Sequence, residues 1–129
     1  MSMKSLNLSW HIKAPVEKVW KALVNASEID EWGGGPCEMD SEVGTEFELW
    51  GGDIHGRNLE VVENEKLVQE WFGGDWNEPS TVTIAITPER DGTSVTLRQE
   101  NIPDSELENI VSSWKENYFG PIKEYLEGG

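Results

Sequence analysis

Leu6, Leu8, Trp10 and Ile12 alternate with Asn7, Ser9, His11 and Lys13. A period of two sends one set to each face of the chain, so this segment predicts a half-buried β-strand. The period then changes. After Ala14-Pro15 the apolar residues Val16, Val19, Trp20 and Leu23 fall at helical spacing, with Glu17, Lys18 and Lys21 on the other side. Proline suits a first helical turn, where its missing N–H costs nothing. Asn25-Ala26 breaks this helix. Ser27 with Asp30 then has the form of a capping box, opening a short second helix that ends near Trp32. Gly33-Gly34-Gly35-Pro36 reads as a flexible connection. A phosphate cradle would need a strand leading in and Lys-Ser/Thr following, and neither is there.

The strand pattern returns over residues 46–50, 54–62, 67–72 and 93–100, and in Val82, Ile84 and Ile86 set between threonines and alanine. Gly51-Gly52-Asp53, Glu63-Asn64-Glu65-Lys66 and Asp91-Gly92 are turn signals, the last a hairpin signal, and a longer loop runs from Gly73 to Pro79. Pro103 ends the strands. Ser105 with Glu108 repeats the capping-box pattern, and Leu107, Ile110, Val111, Trp114, Tyr118, Ile122 and Leu126 mark a long amphipathic helix. Pro121 removes one of its hydrogen bonds and crowds the preceding turn. A kink or break is expected there, which would free the last turns to act as a lid. The order predicts an α+β fold: a curved antiparallel sheet wrapped on a long C-terminal helix, with two short helices after the first strand and room for a cavity between sheet and helix. Residues 1–129 read as a single domain.

Composition narrows the functional classes. The chain has 129 residues, 36% of them hydrophobic and seven of them tryptophan, enough for a packed core. Its 25 acidic residues against 10 basic ones give a net charge of −15. Such a surface repels phosphate backbones and anionic bilayers, so nucleic-acid and membrane binding are disfavoured. It serves solubility, or steering toward a basic partner. Met1-Ser2-Met3-Lys4 leads into alternating residues rather than an apolar run. No stretch approaches the ~20 apolar residues of a membrane span. Cys37 is the single cysteine, so no internal disulfide forms. A cytoplasmic monomer is expected. Glu38 and Asp40 should raise the pKa of Cys37 and leave it unreactive. With His11 and His55 as the only histidines, ligands for a metal are too few. There is no Gly-x-Ser-x-Gly elbow. Carboxylates are too frequent to single out a catalytic pair. No catalytic residue, metal or cofactor is therefore assigned.

The inward face of the sheet carries more information. Alternation places Phe47 and Leu49 toward the long helix, together with Leu67, Gln69 and Trp71, with Val95, Leu97 and Gln99, and with Gly56 and Asn58. A buried amide without partners costs ~1–3 kcal/mol. Asn58, Gln69 and Gln99 on one inner face therefore suggest a polar-lined cavity, holding water or a polar ligand group. The alternative is that they bond to one another and to backbone, and a one-residue bulge would turn them outward. The candidates for binding a small hydrophobic ligand are Phe47, Leu49, Asn58, Gln69, Trp71, Leu97, Gln99, Trp114 and Tyr118. Trp10, Trp20, Trp71 and Trp114 fall on apolar stripes and are expected in the core. Trp32, Trp50 and Trp76 sit beside glycine-rich loops or against the apolar parity, marking a cavity mouth or an interaction patch. Trp50 and Trp76 are the candidate protein-binding surface. Arg57 and Arg98 fall on the outward parity.

Several segments carry a family resemblance: Ala14-Pro15-Val16-Glu17-Lys18-Val19-Trp20, Val43-Gly44-Thr45-Glu46-Phe47, Ile54-His55-Gly56, Leu67-Val68-Gln69-Glu70-Trp71, and the stretch from Gln99 through Ile102-Pro103 to Trp114 and Tyr118-Phe119. In this order the chain resembles the activator-of-heat-shock-protein-90-ATPase family within the START-like, or SRPBCC, superfamily. It looks most like the C-terminal domain of the eukaryotic co-chaperone. The resemblance implies a helix-grip fold and apolar residues at positions such as Asn58 and Gln69, where this chain has amides. It also implies two kinds of partner. START-like relatives hold lipids, hormones or polyketides in the cavity, and a few are cyclases or hydrolases, whereas the co-chaperone acts on the 90-kDa chaperone. The co-chaperone's other domain, which docks on the chaperone's middle segment, has no counterpart in these residues. Fold alone does not choose between these functions.

Overall fold

The structure is a computed structural model and describes residues 3–73 and 78–128. Strand β1 (Met3–Ile12) is followed by helices α1 (Val16–Val24) and α2 (Ala26–Trp32). Strands β2 (Glu46–Leu49), β3 (Ile54–Val62), β4 (Lys66–Gly73), β5 (Ser80–Glu89) and β6 (Gly92–Pro103) come next. They form one antiparallel six-stranded sheet in the order β1-β6-β5-β4-β3-β2. Helix α3 (Leu107–Ser113), a π-helical segment (Trp114–Phe119) and α4 (Gly120–Gly128) make the long C-terminal helix. This is the helix-grip architecture.

The strand periodicity has a direct outcome in burial. In β4 every second residue is buried, Leu67, Gln69, Trp71 and Gly73, and β6 buries Thr93, Val95, Leu97 and Gln99 in the same way. The C-terminal helix seats on this face. Trp114, Tyr118, Phe119 and Ile122 are buried along it, and Phe119 stacks on Trp10 of β1 with ring centroids 4.4 Å apart. Helix α1 buries Val19, Trp20, Ala22, Leu23 and Val24. Each large apolar side chain fully removed from water stabilises the fold by about 1.5–3 kcal/mol.

Several local expectations are corrected. Asn25, not Ser27, starts α2: its side chain accepts from Glu28 N at 3.1 Å. Ser105 caps nothing; a 3₁₀ turn (Asp104–Glu106) precedes α3, whose cap position makes no side-chain bond. The β5–β6 hairpin closes on Glu89 and Gly92, so its loop is Arg90-Asp91. The glycine run after α2 is anchored rather than unattached. Gly33, at φ 102°, ends the helix by donating to Asp30 and Ile29 carbonyls.

The helix does not break at Pro121. It widens before it. A proline ring collides with the carbonyl four residues back in an α-helix, and a π-helical turn opens that spacing. Gly120 makes the widening fit, because a Cβ there would lie 2.3 Å from the Lys115 carbonyl oxygen. Beyond Pro121 the turns are tied down. Ile122 is fully buried, Lys123 Nζ donates to the His11 carbonyl at 2.8 Å, and Glu127 accepts from Lys13 N at 2.9 Å.

Candidate functional site

The inner face is built of cross-strand rows. One row runs Leu6, Gln99, Val82, Gln69, Asn58. Its neighbour runs Ser80, Trp71, Gly56, Phe47. Gly56 is required in that second row, since a Cβ there would sit 1.6 Å from the Glu70 carbonyl oxygen. Asn58, Gln69 and Gln99 are all buried. A register shift does occur in β3, between Asn58 and Glu60, past the point where it would have turned Asn58 outward.

Two of the three amides complete each other. Trp71 Nε1 donates to Gln69 Oε1 at 2.8 Å, and Gln69 Nε2 donates to Asn58 Oδ1 at 2.9 Å. Asn58 Nδ2 then donates to the carbonyls of Asp40 and Glu42 at 3.0 and 3.1 Å. An indole N–H only donates, so Trp71 fixes which end of the Gln69 amide faces it, and each later group follows. The chain ends on backbone and needs no water.

Gln99 stands outside this chain. Val82 separates it from Gln69 in the row, and two strand spacings of about 4.8 Å put the two amides out of reach. Its Oε1 accepts from Trp114 Nε1 at 2.7 Å. That bond turns the amide nitrogen the other way, where it has no partner among the described residues.

Gln99 lines a cleft of about 420 Å³ between the sheet and the C-terminal helix. Trp50, Trp71, Trp114 and Tyr118 form its aromatic walls, with Ile54 and Ile110 beside them. Asp53, Ser113 and Asn117 are its other polar members. The rings are packed on one another: Trp71 on Trp114 and Trp114 on Tyr118, each at 4.7 Å between centroids. Of the candidates from sequence, Trp71, Gln99, Trp114 and Tyr118 line the cleft. Phe47, Leu49, Asn58, Gln69 and Leu97 are buried but lie outside its lining. Asp53, Ile54, Ile110, Ser113 and Asn117 line it without being candidates from sequence, although the last three with Trp114 repeat at helical spacing of three and four.

Trp50 is half-buried and lines the cleft, the cavity-mouth alternative of its sequence reading. The parity argument fails because β2 stops at Leu49, and Trp50, Gly51 and Gly52 follow at φ 49°, 69° and 100°. A bulky residue at positive φ is strained by about 1–3 kcal/mol. Trp50 N donates to the Gly34 carbonyl at 2.8 Å and its Nε1 to the Gly33 carbonyl at 3.0 Å, which holds it there. Its ring meets Tyr118 edge-on at 6.4 Å. Trp32 is also inside, donating to the Ala22 carbonyl at 2.9 Å. Trp10 is partly buried against the core, and Trp20 is buried. Trp76 lies outside the described residues.

Titratable groups near the cleft are few. Burial pushes the Tyr118 phenol above its ordinary pKa, so it stays protonated. Cys37 is pushed up to about 11, first by burial and then by Asp30, whose Oδ1 lies 3.5 Å from Sγ. Asp30 takes the role expected of Glu38 and Asp40. His11 lies outside the cleft, its Nδ1 2.6 Å from Glu89 and its Nε2 3.0 Å from Asp91. His55 stacks on Phe72 on the opposite face. Among the described residues no group of three or more His, Cys, Asp or Glu could hold a metal ion. Arg57 and Arg98 are exposed beside Glu46 and Glu100.

The profile of the family described as "Activator of Hsp90 ATPase homolog 1-like protein" matches residues 13–127. The chain belongs to this family. An activator of 90 kDa heat shock protein ATPase homolog from Dictyostelium discoideum is 29% identical over 123 residues, 93% of this chain and 32% of the relative. The Mus musculus homolog 2 of that activator is 26% identical over 125 residues, 95% of this chain and 38% of the relative. This activator-like chain thus spans about a third of the length of the curated relatives it matches. The crystal structure of an HSP90 activator from Plasmodium falciparum is 29% identical and superposes with a TM-score of 0.88, covering 98% of this chain and 97% of that one.

Proposed function

We propose that this activator-like domain is a non-catalytic binding module whose cleft takes a small, mainly apolar molecule. The aromatic wall carries the reading. Trp50, Trp71, Trp114 and Tyr118 line a hollow of about 420 Å³, a size usual for small-molecule sites. Covering apolar surface there gains ~25 cal/mol for each Å² removed from water. An amide-shift NMR map with a panel of apolar molecules tests this. Shifts centred on Trp71, Gln99 and Trp114 are expected. A map without shifts at the cleft, for every member of the panel, overturns the reading.

A second reading rests on the relatives, whose names describe activators of the 90-kDa heat shock protein ATPase. Here the domain would be a co-chaperone-like module in the cytoplasm, acting on that chaperone through a surface that includes Trp50 and Trp76. No helix among the described residues is long and apolar enough to cross a membrane. Replacing both tryptophans by alanine should weaken chaperone binding while the fold persists. Unchanged affinity in a titration against the purified chaperone would remove this reading.

A further inference from the structure

We infer that the occupant of the cleft carries a hydrogen-bond acceptor, such as a ketone oxygen, on a flat uncharged aromatic frame, and that Gln99 is the residue that selects it. The inference rests on the small-molecule reading above and names the class of ligand. Gln99 is fully buried. A primary amide has two N–H donors, and neither is used by a described residue. The amide cannot turn over to exchange its oxygen and nitrogen. Trp114 Nε1, 2.7 Å away, can only donate, and turning would set donor against donor. Asn58 and Gln69 show what this sheet does with buried amides that need no ligand: it bonds them to one another and to backbone. Gln99 is the exception, and it is also the amide that lines the cleft.

The other walls set the remaining chemistry. The aromatic rings offer flat faces that favour a planar partner by offset or edge contact. Among the described residues no lysine or arginine lines the cleft, and Asp53 does. The chain as a whole carries a charge of −15. An anionic ligand would therefore be repelled with no cation to meet it. A cation is disfavoured at the deep end by the N–H donors of Gln99. The nitrogen is closed to solvent, so the acceptor reaches it as neighbouring aromatic side chains shift.

The test uses the whole chain and a matched pair, 2-acetylnaphthalene and 2-ethylnaphthalene, which differ mainly in the carbonyl oxygen. 2-Naphthoate provides the anionic arm. Binding is followed by NMR titration, reading both cleft amides and the Gln99 side-chain NH₂ resonances. The ketone should bind about tenfold more tightly than the hydrocarbon, move the Gln99 NH₂ signals downfield, and outbind the carboxylate. Equal affinity for ketone and hydrocarbon with the Gln99 signals unmoved overturns the inference and leaves the cleft reading standing. Absence of shifts with either compound overturns the inference, and absence with the whole apolar panel overturns the cleft reading as well. Gln99→Met keeps a sulfur acceptor near Trp114 and removes the donor. It should bind the hydrocarbon as before and lose the preference for the ketone, whereas a retained preference counts against Gln99. Should that variant fail to fold, the wild-type pair and the Gln99 resonances decide the matter alone.

Discussion

Gln69 joins two buried groups that have no other partner of equal quality. Gln69→Leu would strip Trp71 Nε1 of its acceptor and Asn58 Oδ1 of its donor together. Each buried group left unsatisfied costs ~1–3 kcal/mol, and the added apolar contact offsets only part. The unfolding free energy should fall by about 2–4 kcal/mol in a urea titration; a loss within 0.5 kcal/mol, the usual range for a neutral substitution, would show that the chain of amides contributes nothing. Cys37 makes a prediction about pH. Its thiol is raised from an ordinary 9.0 to about 11, so the folded chain keeps a proton that the unfolded chain releases. That contribution to stability is full below about pH 9 and is lost as the pH climbs through about 11. Tyr118, also raised, pulls in the same direction in the alkaline range. Melting temperature should therefore decline above about pH 9, and at pH 8 alkylation of Cys37 by iodoacetamide should run about a hundredfold slower than for an unperturbed thiol, as read by mass spectrometry. Sequence alternation placed Asn58, Gln69 and Gln99 inward, because a period of two needs no tertiary information. It could not show which amide lacks a partner, since that follows from Val82 standing between Gln99 and Gln69. Nor could it show Trp50 turning into the cleft, since three successive left-handed residues reset the parity.

The C-terminal helix is the element on which the cleft depends, and Gly120 is where its geometry is set. Gly120→Ala puts a methyl group 2.3 Å from the Lys115 carbonyl oxygen. The backbone must then tighten toward an α-turn that Pro121 opposes, or the carbonyl must swing away. Alanine is ordinarily the better helix former, by about 1 kcal/mol over glycine. Here the sign should reverse, with a loss of ~1–3 kcal/mol and altered shifts at Trp114 and Tyr118. A stabilised variant would mean that the π-helical turn is not held by Gly120. The same helix shows how far element patterns can be read. Strand and helix order and the covering helix were legible because each rests on a local period. The outcome at Pro121 was not, because proline forbids one geometry without naming its replacement. The last turns are also tied down: Ile122, Lys123 and Glu127 bind them to the strand end and to Lys13. Amides after Pro121 should accordingly resist hydrogen exchange about as well as those of α3. Exchange there at the rate of an unstructured peptide would restore the lid.

At the scale of the whole molecule, charge opposes compaction. Folding gathers 25 acidic and 10 basic side chains onto one small surface, and like charges repel more strongly there than along an extended chain. Exposed ion pairs such as Lys66 with Glu60 at 3.0 Å and Lys123 with Glu127 at 2.6 Å act the other way. Salt weakens both effects, so the sign of its influence shows which is larger. Surface pairs contribute ~0–1 kcal/mol each, and ten bases cannot pair off 25 acids. Net repulsion should win. Raising NaCl from 10 mM to 1 M shortens the screening length from about 30 Å to about 3 Å, and relief of even ~1 kcal/mol would raise the melting temperature by roughly 4 °C. A scanning-calorimetry series in NaCl at pH 7 measures this. A rising curve that levels off once screening falls below the spacing of the acidic residues fits a fold that tolerates its charge at a cost. A falling curve would mean that the ion pairs stabilise the fold more than the excess acids destabilise it, and the acidity would then need a partner or a cation to explain it.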